Sequence, residues 1–179
     1  MQTSPLVPHP AYPPSPALRM HFACDVKGGW LTMRWRIEGS CELAIPPFAG
    51  RRRADGLWRT TCFELFVQAQ GTAYSEFNFS PSEAWAAYDF DGPREGIRDR
   101  NVPIAPVCTW RGGGPHIALF DAALPLAALP ALPCRIGPTA VLEEAEGHKS
   151  YWAVGHGKAQ PDFHDPACFA VMLAAPEAS

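Results

Sequence analysis

Three kinds of side chain suited to polar small molecules fall within one stretch, Leu57–Arg98, which reads LWRTTCFELFVQAQGTAYSEFNFSPSEAWAAYDFDGPREGIR. Trp58 and Trp85 offer flat aromatic faces, Glu64, Glu76 and Asn78 offer carboxylate and amide oxygens, and Arg94 and Arg98 offer guanidinium forks. A sugar uses that mixture. Its ring has an apolar C–H face that stacks on indole, and its hydroxyls pair with carboxylates, amides and Arg. Trp58 stands six residues before Glu64, so a loop ring can lean over that carboxylate while Trp85, Arg94 and Arg98 close the site from the far side. The plainer alternatives are core or rim packing for each Trp and a cross-strand ion pair for Glu64.

Strands must position these residues. Thr61–Gln68 and Ala73–Ser80 alternate, and Glu83–Phe90 follows a Ser-Pro-Ser turn. A period of two sets Phe63, Leu65 and Val67 on one face and Cys62, Glu64, Phe66 and Gln68 on the other. Likewise Ser75, Phe77 and Phe79 oppose Tyr74, Glu76 and Asn78. The expectation is an antiparallel meander with its Phe rows inward and a polar outer face carrying the candidate site.

Other chemistries find less support. Glycoside hydrolysis needs two carboxylates across a cleft; Glu64 and Glu76 share a face, but no cleft walls can be read from the sequence. No GxSxG elbow, P-loop or GxGxxG is present, so a non-catalytic role is expected. The tail loop HGKAQPDFHDP holds His156, Asp162, His164 and Asp165. Those are oxygen and imidazole donors, but their spacing matches no metal motif, and no metal site is expected.

The 179 residues suit one well-buried domain. A formal charge of −3 argues against nucleic acid as main partner, and the run Arg51–Arg53 reads as a solvated loop. No charged-then-apolar leader and no membrane-length apolar run is seen, so the default expectation is cytoplasmic, away from a membrane. The six Cys are scattered without a CxxC pair and read as buried reduced thiols.

The 20 Pro and 15 Gly divide the chain into short segments, as in an all-β domain. Residues 1–17 read as an extended Pro-rich arm on the surface of a domain spanning 18–175. Leu18–Asp25 and Leu31–Ile37 form an alternating hairpin, and Cys41–Ile45 a short strand. Ile104–Trp110 is interrupted by Pro106, which marks an edge strand or a late start. His116–Phe120, Arg135–Glu144, Tyr151–Gly155 and Cys168–Leu173 complete about ten strands. Leu124–Leu132 is too rich in Pro for more than a helical turn. The natural closure is a two-sheet antiparallel β-sandwich.

LWRTTCFELFV, YSEFNFSPSEAWAAYDFDG with its REGIR, and the tail YWAVGH…PDFHDPACFAVML together resemble the DOMON-like proteins of bacteria, relatives of the family 9 carbohydrate-binding modules. The resemblance runs from about His9 to Leu173. It implies a β-sandwich of DOMON/family 9 type with a ligand-binding, non-catalytic role. By position it implies that Trp58 and Glu64 stack on and hydrogen-bond a sugar, that a sugar-binding Arg lies within Trp85–Arg98, and that Trp152 or Phe163 supplies a second stacking ring. The calcium-binding pattern of family 9 is not recognisable. DOMON relatives can bind haem through Met and His, for which Met33 and His21 are the candidates, although an inward Met33 and an outward His21 are poorly placed to share one iron. The sequence-based expectation is therefore a glycan or sugar-like ligand, with a haem module or a protein-interaction domain as alternatives.

Overall fold

The computed structural model describes residues 1–39, 43–112 and 116–175. Turn residues cut the chain into short alternating segments, and these become twelve strands: β1 Gln2–Pro8, β2 Arg19–Lys27, β3 Trp30–Glu38, β4 Cys62–Gln68, β5 Tyr74–Phe79, β6 Trp85–Phe90, β7 Arg98–Asp99, β8 Val107–Arg111, β9 Ile117–Pro125, β10 Cys134–Glu143, β11 Lys149–Ala153 and β12 Val171–Leu173. Short 3₁₀ turns, one of them Leu126–Ala128, are the only helical pieces among the described residues. None is long and apolar enough to cross a membrane. β8 starts immediately after Pro106 and is an edge strand, as a residue without a donor requires. Of the expected strand Cys41–Ile45, residues 41–42 lie outside the described residues; Leu43 forms an isolated bridge to Glu144.

In place of two separate sheets, the antiparallel order is continuous: β7-β6-β5-β4-β10-β11-β1-β2-β3-β9-β8, with β12 beside β10. β1 provides the continuity. Gln2–Leu6 pairs with β2, and Val7–Pro8 pairs with β11. The first half of the Pro-rich arm is thus a paired strand with Leu6 buried.

The sheet curls until its apolar rows meet. Met20, Phe22 and Cys24 on β2, and Leu31, Met33, Trp35 and Ile37 on β3, face Phe63, Leu65, Val67, Phe77 and Phe79 on β4 and β5. The Trp35 ring centre lies 5.5 Å from Phe63, and Phe63 stacks on Phe120 of β9 at 4.2 Å and 10°. Cys24, Cys62, Cys108, Cys134 and Cys168 are free and buried.

Register overturns two expected positions. Trp85 lies opposite Phe79, so it faces the core with Ala87, and it is Tyr88 and Phe90 that point outward. Trp152 lies opposite Ala140, within the same core, and its Nε1 donates to Ser150 Oγ at 2.9 Å. In both cases the alternation of the strand gives the outward place to a neighbouring Tyr, Tyr88 or Tyr151. Arg51 and Arg52 are exposed, but Arg53 folds onto the sheet edge, donating to Ala87 O and lying 5.8 Å from the Trp85 ring.

Candidate functional site

Two cross-strand rows on the outer face of β6-β5-β4-β10-β11 hold most of its polar groups. Ala86, Asn78, Glu64, Thr139 and Ala153 form one, and Tyr88, Glu76, Phe66 and Gly137 form the other. This face is not simply solvated, because Phe66, Tyr74 and Phe90 also point outward and attract a cover. The cover is the tail loop: Phe163, Cys168 and Phe169 pack on those rings as a second apolar cluster. Gly137 permits the approach. A Cβ there would come within 2.7 Å of the Cys168 carbonyl oxygen and 2.8 Å of the Phe169 ring.

The cover is partial. It leaves a cavity of about 790 Å³ with Glu64 and Glu76 in its floor and Trp58, Tyr88, Tyr151 and Phe163 among its walls. Trp58 sits on the 3₁₀ turn Leu57–Arg59, launched by Gly56 in the left-handed region at φ 70°. It is 53% exposed beside the cavity, with the Arg59 guanidinium 5.7 Å from its ring centre. Tyr88 is fixed by a hydrogen bond from its hydroxyl to Asp55 at 2.5 Å.

A second loop locks the cover. Arg94 adopts φ 61° in the turn after β6, donates its backbone N–H to the Tyr74 hydroxyl at 3.1 Å, and reaches Asp162 with Nη2 at 2.9 Å. Lys158 holds the other Asp162 oxygen at 2.5 Å. The Tyr74 hydroxyl also meets His164 Nδ1 at 2.6 Å, and the His164 ring stands edge-on to Phe66, Tyr74 and Phe90.

Burial governs the protonation of this floor. It pushes the Glu64 carboxyl well above the usual carboxylate range, and the nearby Glu76 charge pushes it further; the Thr139 hydrogen bond and Arg94 oppose both effects. Burial raises Glu76 too, against the Asn78 hydrogen bond and Arg94. His164 is lowered to about 4 by burial and then by the Arg94 charge. Burial works against ionisation of Asp162, yet hydrogen bonds from Lys158 and Arg94 outweigh it and hold that carboxylate below its ordinary value.

In fold, the chain is similar to a solved Bacteroides uniformis structure. That protein is named as a candidate carbohydrate-binding protein; the TM-score is 0.65 at 17% identity, covering 94% of this chain and 84% of that one. At such identity the likeness is one of fold. No family model matches the chain, and no curated protein matches it in sequence.

Of the residues named from the sequence, the cavity gathers Trp58, Glu64, Arg94 and Phe163. Asn78 shares their face but is fully buried behind it, its Nδ2 donating to Glu76 Oε1 at 2.7 Å and its Oδ1 without a partner. Trp85 and Trp152 are core residues, and Arg98 is exposed and paired with Asp91 at 2.7 Å outside the cavity lining. Tyr88, Tyr151 and His164 are the additions. The alternation carrying Tyr88 and Tyr151 was legible in β6 and β11, but the phase relative to the core was not; His164 is legible in the tail loop only as a donor without a partner site.

The tail-loop donors are engaged separately. His156 Nε2 meets Val7 O at 3.0 Å, and Asp165 caps the 3₁₀ turn Pro166–Cys168. Among the described residues no three His, Cys, Asp or Glu converge as metal ligands. For haem, Met33 lies in the core while His21 pairs with Arg36 on the exposed face, so this Met–His pair does not fit one iron.

Proposed function

We propose that this chain is a non-catalytic carbohydrate-binding domain of the DOMON/family 9 kind, with its ligand in the Trp58–Glu64 cavity. The observation that carries this reading is an exposed indole at the rim of a cavity floored by a buried carboxylate. Stacking the apolar C–H face of a sugar on this ring removes apolar surface of both from water. The cavity volume of about 790 Å³ suits a small ligand of one or two sugar rings, within the roughly 300–1,000 Å³ usual for such sites. The fold likeness to a candidate carbohydrate-binding protein adds support. A glycan array followed by titration calorimetry on the hits tests the reading. Binding lost in Trp58→Ala and Glu64→Gln is the expected result; hits that bind equally well to both variants would overturn it.

One observation favours a second reading, glycoside hydrolysis. Glu64 and Glu76 lie in one cavity, and burial favours a protonated carboxylic acid there. Release of nitrophenol from a panel of nitrophenyl glycosides, lost in Glu76→Gln, would establish it; no release from any member would end it.

A further inference from the structure

The two floor carboxylates have no permanent cation seated against them. Among the described residues no Lys or Arg ion-pairs with Glu64 or Glu76; Glu76 accepts from the neutral Asn78 Nδ2 on Oε1 at 2.7 Å and meets the His164 imidazole, Nε2 to Oε2, at 3.7 Å. The nearby cations make their close contacts elsewhere, although the Arg94 charge still reaches both carboxyls. Arg94 and Lys158 both hold Asp162, and Arg59 lies 5.7 Å from the Trp58 ring. Glu64 accepts on Oε2 from Thr139 at 3.3 Å, and no described donor reaches its Oε1. Around this acidic floor stand the rings of Trp58, Phe66, Tyr88, Tyr151 and Phe163, whose faces attract cations.

We propose that the cavity selects amine-bearing sugars, with the ammonium group on Glu64 and Glu76 and the sugar ring against Trp58. This rests on the carbohydrate reading above and narrows its ligand class. A hydroxyl brings one donor and no charge. An ammonium brings three donors and the missing positive charge, and hydrogen bonds to ionised partners are about twice as strong as neutral ones. It also relieves the repulsion between two carboxylates in one desolvated site.

The groups facing the pair are Cys62 from β4, Tyr74 and Tyr88 from β5 and β6, Tyr151 from β11, Arg94 from the turn after β6, Asp162 and His164 from the tail loop, and Asp55 and Arg59 on either side of Trp58. None of the neutral ones supplies a charge near pH 7: His164 stays unprotonated and the tyrosines keep their protons. A floor carboxyl that carries a proton in the free protein gives it to buffer when the ammonium is seated. The ammonium keeps its own proton, so each such carboxyl releases one H⁺.

Titration calorimetry of the full chain with D-glucosamine, D-glucose and N-acetylglucosamine, in two buffers of different ionisation enthalpy, tests this. Glucosamine is expected to bind at least about tenfold tighter than the other two, a difference of about 1.4 kcal/mol, with a buffer-dependent heat that reports proton release. The preference disappears in Glu64→Gln. Equal, Trp58-dependent binding of glucose and glucosamine would overturn the amine preference and leave the carbohydrate reading standing. Tetramethylammonium binding as tightly as glucosamine would overturn it as well, because the sugar ring would then contribute nothing. Failure of all three sugars, alongside an array without hits, would remove both.

Discussion

Glu64 and Glu76 are diagonal neighbours across the β4–β5 ladder, both on the outer face and both buried. The register opposes Glu64 to Asn78 and Phe66 to Glu76, so the two carboxyls belong to adjacent rows of one face. Two acids buried together without a permanent counter-ion are a stability cost that a ligand can relieve, and functional sites commonly carry such costs.

The cost has a pH signature. The folded-state pKa of each Glu lies above its unfolded value, so the native state binds these protons more tightly. Their contribution is fully present below the unfolded value of 4.5 and is lost as pH rises through the raised folded value. Glu64→Gln is therefore expected to raise Tm near neutral and higher pH, and to leave it unchanged in acid. Each unit of pKa displacement is about 1.4 kcal/mol, and each kcal/mol is about 2–4 °C for a chain of this length. Thermal melts of wild type and variant across pH check it; a lower variant Tm at alkaline pH would contradict the cost.

His164 works in the opposite sense. Its pKa falls from 6.5 to about 4 on folding, so the unfolded chain takes up a proton that the native site refuses. The His164 contribution to stability should decline as pH falls from 6.5 toward about 4. His156, also lowered by burial, adds to the slope. In His164→Gln the decline should be shallower between pH 6.5 and about 4, while the Glu pair, whose native protonation develops above pH 4.5, opposes the decline in wild type and variant alike. Urea unfolding at several pH values reads the slope directly; an unchanged slope would place the titration elsewhere.

The three tryptophans named from the sequence should separate cleanly. Trp152→Ala empties a fully buried core position and should cost about 3–5 kcal/mol. Trp85→Ala should also destabilise, because it too sits in the core. Trp58→Ala should change stability by no more than about 0.5 kcal/mol, as an exposed rim residue. Its loss should instead weaken sugar binding by about 2 kcal/mol, the scale of an aromatic hot spot. Chemical denaturation and calorimetry on the same three proteins decide the matter.

Arg94→Gly isolates a guanidinium from its backbone. Arg94 holds φ 61°, which glycine adopts without strain. The lost ion pair to Asp162 is largely exposed on the Arg side and is worth about 0–1 kcal/mol. Stability should stay nearly level, while the floor carboxyls, which Arg94 holds down, rise further in pKa. Carboxyl titration by NMR with side-chain-labelled Glu would show the upward shift; no movement of either Glu would mean that Arg94 acts only on Asp162.

Much was written into the local pattern. Alternation in Phe63–Gln68 and Tyr74–Phe79 sorted core from outer face correctly, and Pro106 marked the edge strand that begins after it. It placed Glu64, Glu76 and Asn78 on one side because a strand's period is two and needs no partner to act. Trp58 was legible as a loop residue ahead of β4, outside the alternating strand.

Tertiary structure decided the rest. A one-residue change of phase exchanges the faces of a strand, so only the pairing of β6 with β5 and of β11 with β10 could send Trp85 and Trp152 inward and Tyr88 and Tyr151 outward. Only the docking of Phe163 and Phe169 onto Phe66 and Tyr74 turned an outer face into a cavity. That contact joins segments about a hundred residues apart along the chain, and local periodicity carries no information on a packing made at such distance.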